Sequence, residues 1–74
     1  MLEQIRHELV GNEMTMIDLD NTMVGFGFAS VYDEGTEENI IEDANGVWSS
    51  ENLQVQIYLE GNLDNLVVTE VEKF

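Results

Sequence analysis

Leu53-Gln54-Val55-Gln56-Ile57-Tyr58-Leu59-Glu60 is the stretch from which the fold can be read. Leu53, Val55, Ile57 and Leu59 take every second position, with Gln54, Gln56, Tyr58 and Glu60 between them. Successive side chains of a strand point to opposite faces, so this alternation predicts a strand with one side in a core and the other in water. Downstream, Gly61 to Asn65 carries turn residues and leads into a last strand over Leu66 to Glu72. Upstream, Asn45-Gly46 is a candidate type I′ turn, and Asp33, Glu34, Gly35 and Thr36 form a hairpin loop entering a strand near Glu38 to Asp43.

Further out, Met23 to Tyr32 also reads with period two. Val24, Phe26, Phe28 and Tyr32 make a bulky face, and Met23, Gly25, Gly27, Ala29 and Val31 a small one. Glycines weaken a strand, so Gly25 and Gly27 suggest a close approach by another element. Met14 to Leu19 is read as a first strand whose apolar phase slips between Met16 and Ile17. Before it, Leu2, Ile5 and Leu9 recur at helical spacing, and Gly11 stands where a helix takes a left-handed terminating residue. The expectation is a single α+β domain over residues 1–74, a short N-terminal helix packed on an antiparallel sheet of about five strands.

Charge sets the function classes. Sixteen Asp and Glu are opposed by Arg6 and Lys73, a formal net charge of -14. Two cations can neutralise few of the carboxylates, so most of the negative charge must face solvent or a partner. Nucleic acid and anionic membranes repel such a surface, and direct binding to either is disfavoured. The apolar fraction, 43%, is that of a folded chain rather than a disordered one. Cysteine is absent, which removes disulfides and thiolate metal sites. With no apolar run long enough to span a bilayer and no leader-like start, a cytoplasmic location is expected.

The chemical motifs do not assemble into a catalytic site. Asp18-Leu19-Asp20-Asn21-Thr22 resembles the D-x-D-x-T signature of haloacid-dehalogenase-like phosphatases. Those enzymes require a doubly wound parallel sheet and a lysine well downstream, whereas the single lysine here is the penultimate residue. His7 has no second His or Cys with which to share a metal. A calcium loop begun at Asp18 would place Met23 where Gly is required and Ala29 where Glu is required. The expectation is no enzyme activity, no cofactor and no metal, with weak cation binding by the acidic hairpin as a minor alternative.

The nine residues Tyr32-Asp33-Glu34-Gly35-Thr36-Glu37-Glu38-Asn39-Ile40 resemble the central hairpin of the phage uracil-DNA glycosylase inhibitor family, and the Leu2, Ile5, Gly11 spacing is similar to that family's first helix. That family's Gln-Glu-Ser segment is missing from Met14 to Asp20, and its second, acidic helix finds no counterpart when Asn21 is read as leading into a strand. The resemblance implies a helix-plus-antiparallel-sheet acidic DNA mimic that occupies the cationic groove of a host DNA enzyme such as a uracil-DNA glycosylase; the composition fits phage inhibitors of CRISPR or restriction nucleases equally well. Duplex DNA presents about one charge per 1.7 Å of axis, a rail that spaced carboxylates can imitate. Asp33, Glu34, Glu37, Glu38 and Glu42 would face the partner's Lys and Arg, Asp18 and Asp20 would extend the rail, and Tyr32 or Trp48 would supply an apolar anchor. The alternative is an acidic interaction or assembly module whose charge serves solubility alone.

Overall fold

The computed structural model describes residues 1–32 and 36–74; Asp33, Glu34 and Gly35, and the hairpin loop expected there, lie outside the described residues. In chain order the elements are α1 (Leu2–Leu9), β1 (Glu13–Met14), α2 (Met16–Gly25), α3 (Thr36–Asp43), β2 (Asn45–Ser49), β3 (Gln54–Asn62) and β4 (Asn65–Lys73). The four strands form one antiparallel sheet in the order β1-β4-β3-β2, with the helices packed on one face. The α+β class therefore holds, with four strands in place of about five.

The decisive stretch behaves as its alternation requires. Val55, Ile57 and Leu59 are buried and Leu53 is half-buried, while Gln54 and Glu60 are exposed. Strand β4 starts with the same alternation, burying Leu66 and Val68, then changes phase. Tyr58 pairs with Glu70 but Leu59 pairs with Val68, so Thr69 is the extra residue of a bulge. That one-residue insertion returns Val71 to the inner face opposite Ile57. Arg6 of α1 clasps the same place: its Nε donates to the Val71 carbonyl at 2.8 Å, and it pairs with Glu3 and Glu70.

Three segments expected as strands are not strands. Met14 to Leu19 contributes only Met14 to the two-residue β1 before α2 begins. Thr15 caps that helix, its Oγ1 accepting the Asp18 N–H at 3.1 Å. The apparent phase slip between Met16 and Ile17 is the change from period two to a helical stripe: Met16, Leu19, Asp20 and Met23 are buried. Met23 to Tyr32 is the end of α2 followed by an irregular strap that buries Phe28. Gly27 is needed for its φ of +99°, and a Cβ at either Gly25 or Gly27 would meet nothing within 4 Å, so no element approaches closely there. Glu38 to Asp43 belongs to α3, where Ile40 alone is buried.

Asn45-Gly46 is not a turn but the start of β2; the left-handed residue is Ala44, at φ 60°. Gly46 is instead where α3 presses on the sheet, since a Cβ there would lie 3.0 Å from Ile40 and Trp48. The core joins Ile5 and Leu9 of α1, the α2 stripe, Ile40 and Phe28 to Trp48, Val55, Ile57, Leu59, Leu66, Val68 and Val71 of the sheet. No helix among the described residues is long and apolar enough to cross a membrane.

Candidate protein interface

The acidic residues divide by element. Helix α3 carries Glu37, Glu38, Glu42 and Asp43 in eight residues. Glu38 and Glu42 are one helical turn apart and so project from the same side. They line an open cleft with Ile41 of the same helix and with Asn62, Leu63, Asp64 and Asn65 of the β3–β4 turn. The turn is held by Asn62, whose Oδ1 accepts the N–H groups of Asp64 and Asn65 at 3.0 and 2.9 Å. From the other side, the Met16 N–H donates to the Leu63 carbonyl at 2.8 Å, which brings the first turn of α2, and Asp18 with it, to the same end of the molecule. Two sequence-expected residues, Glu38 and Glu42, thus line one cleft, where Asp64 joins them; Asp18 does not line it.

The cations lie elsewhere. Arg6 is engaged by Glu3, Glu70 and the Val71 carbonyl, and the ion pairs among the described residues are its own. Lys73 stands near the end of β4, opposite Val55. The remaining carboxylates spread over other surfaces, with Glu3 and Glu8 on α1, Glu13 on β1, Glu60 on β3, and Glu70 and Glu72 on β4. The negative charge is therefore general, and α3 with the β3–β4 turn holds five of the carboxylates, Glu37, Glu38, Glu42, Asp43 and Asp64.

Two expected contact residues are corrected. Asp20 is 4% exposed and points into the molecule, where it accepts from Ser30 Oγ at 2.6 Å, the Val31 N–H at 2.9 Å and Trp48 Nε1 at 3.1 Å. Trp48 is fully buried against the helices. Neither can meet a partner: a buried carboxylate must satisfy its lone pairs internally, and an indole N–H in a core needs an acceptor. Together they pin the 28–32 strap, which also donates the Ala29 N–H to the Ser49 carbonyl along the outer edge of β2. Tyr32 remains 41% exposed, its N–H bonded to Ser30 Oγ. Asp33 and Glu34 lie outside the described residues. Glu37 is half-buried at the start of α3, and Glu38 and Glu42 are exposed.

Sequence reasoning passed over Asp64 and the apolar pair Ile41 and Leu63. The signal for Asp64 was its place in a turn already identified; what was missing was α3, without which nothing faces that turn. No protein family, no curated protein and no solved structure matches this chain.

Proposed function

We propose that the protein is a stoichiometric inhibitor that lays its acidic end into the cationic nucleic-acid-binding groove of a DNA enzyme, in the host cytosol if the chain is phage-encoded. One observation carries this reading: Glu38, Glu42 and Asp64 line one cleft at the β3–β4 turn, away from both basic residues. Glu38 and Glu42 are separated by about 6 Å along the helix axis, a regularly spaced pair of negative charges such as a DNA strand presents. Ile41 and Leu63 between the acids offer the aliphatic stem of an Arg or Lys something to pack on while its charged head meets carboxylate.

The resemblance of residues 32–40 to the uracil-DNA glycosylase inhibitors makes uracil excision the first activity to assay, with CRISPR and restriction nucleases beside it. The finding of α2 at Met16–Gly25 supplies a second helix where the sequence reading had none. The expected result is inhibition that saturates at one equivalent and weakens steeply between about 50 and 200 mM salt, as phosphate-groove contacts do. Glu38→Lys with Glu42→Lys should abolish it. Unchanged inhibition by that variant would remove α3 from the interface. Binding insensitive to both salt and charge reversal would favour the interaction-module reading, for which the exposed apolar side chains of α2 are the supporting observation.

A further inference from the structure

The helices are held with unequal strength. Helix α1 buries Ile5 and Leu9, and its Arg6 reaches the Val71 carbonyl. Helix α2 buries Met16, Leu19 and Met23, is capped by Thr15, and is tied to the strap and to Trp48 through Asp20. Helix α3 buries Ile40 alone, which rests over Gly46. Its charged residues are all negative, and among the described residues no ion pair includes them. The chain leaves it through Ala44 at φ 60°, where the Asn45 amide donates to the Asp43 carbonyl at 3.0 Å. A helix of eight residues does not stand on propensity and depends on what it packs against, so α3 is the least secured of the helices.

The cleft beside it has unequal walls. The β3–β4 turn is fixed by the Asn62 side chain and by the Met16 N–H on the Leu63 carbonyl. The opposite wall, Glu38, Ile41 and Glu42, is α3 itself. Docking α3 sets Glu38 and Glu42 across from Asp64, an arrangement that is unfavourable for the carboxylates alone and favourable with a cation between them. We infer that α3 is a separately opening unit whose closure is coupled to occupation of this cleft by a Lys- or Arg-rich segment of a partner protein. It opens about Ala44 while the sheet, α1 and α2 stay folded, because Ile40 is the one side chain it withdraws from the core. The hinge itself stays with the sheet, since the Leu59 N–H donates to the Ala44 carbonyl at 3.0 Å. A cation seated between the walls binds the closed form and draws the population toward it. The inference rests on the proposed function for the cleft as the cationic site and adds the regulation of that site: the partner meets one fixed wall and orders the other.

The test is residue-resolved hydrogen exchange on the intact protein, read at the amides of Ile40 to Asp43. The reference for global unfolding is β3, which lies between two strands. At low salt and without a partner, the α3 amides should be protected on the order of tenfold less than those of β3. Decalysine at about ten times its own Kd should raise α3 protection about elevenfold, the mass-action factor when only the closed form binds. Glu42→Lys converts a repelling pair into an attracting one and sets a cation at the C-terminal end of the helix. It should raise α3 protection about tenfold with no peptide present. Asp64→Asn, on the fixed wall, should cut the response to the same peptide concentration about threefold. Protection of α3 equal to that of β3 would overturn the inference, because α3 would then open only with the whole molecule. So would α3 protection that bound decalysine leaves unchanged, or that falls in Glu42→Lys. Coupling without inhibition of any DNA enzyme would refute the proposed function alone, and inhibition by a protein whose α3 is as protected as β3 would refute the coupling alone.

Discussion

Replacing Asp20 by alanine should remove about half of the stability of this fold. The carboxylate takes hydrogen bonds from Ser30 Oγ, the Val31 N–H and Trp48 Nε1, and it is 4% exposed. A bond to a charged group contributes about 1.5–3 kcal/mol, but three on one acceptor are not additive, and water can reach the vacated space beside the partly exposed strap. A loss of about 3–4 kcal/mol results, against a total of roughly 4–11 kcal/mol for 74 residues. Asp20→Asn is the control, because it removes the same negative charge yet keeps an acceptor for Val31 and Trp48. Its amide can donate to Ser30 Oγ after the hydroxyl turns, so it should cost only about 1 kcal/mol. Urea unfolding followed by the fluorescence of Trp48, the single tryptophan, reads both variants. With a slope of about 1 kcal/mol per molar urea, the alanine midpoint should fall by about 3 M and the asparagine midpoint by about 1 M. If the two variants unfolded together, or if alanine cost less than about 1 kcal/mol, the latch assigned to Asp20 would be wrong.

Ala44→Gly should raise stability by about 0.5–1 kcal/mol, seen as a higher melting temperature, because Ala44 is exposed and sits at φ 60°, where a Cβ is penalised. Glu42→Lys with Asp43→Lys should also stabilise, by about 1–2 kcal/mol at low salt, while weakening capture of a cationic partner. A lower melting temperature for that pair would contradict the unfavourable charge assigned to the last turn of α3.

The sheet's centre was legible because a half-buried strand needs nothing but its own alternation. Val55, Ile57 and Leu59 declare their face whatever else the chain does, and the Gly61 to Asn65 turn fixes the next strand beside them. The helices α2 and α3 were not legible by the same rule. Both are short, and over ten residues a helical stripe interrupted by Asp20 looks like a broken alternation. Read with Thr15 as the cap, Met16, Leu19 and Met23 are a core stripe, and the carboxylate at position 20 becomes intelligible only when Trp48 needs an acceptor. That pairing spans 28 residues and is invisible to local pattern. The same distance explains the misplaced contact residues: Asp20 and Trp48 looked like surface chemistry because each was considered without the other. Asp18, Glu38 and Glu42 are exposed, as expected, because outward carboxylates require no partner to remain there.

The charge on α3 argues that its surface was not arranged for stability. Glu37 and Glu38 lie at the positive end of the helix dipole and help it, but Glu42 and Asp43 lie at the negative end, where no basic residue accompanies them. Glu38 and Glu42, one turn apart, repel each other, and Asp64 adds a third carboxylate across the cleft. A sequence chosen only to hold Ile40 against Gly46 and the sheet would place Lys in that last turn. Solubility alone does not require this placement either, since a carboxylate anywhere on the surface serves it equally well. A cationic group filling the space between α3 and the β3–β4 turn, as the proposed function requires, would recover that cost.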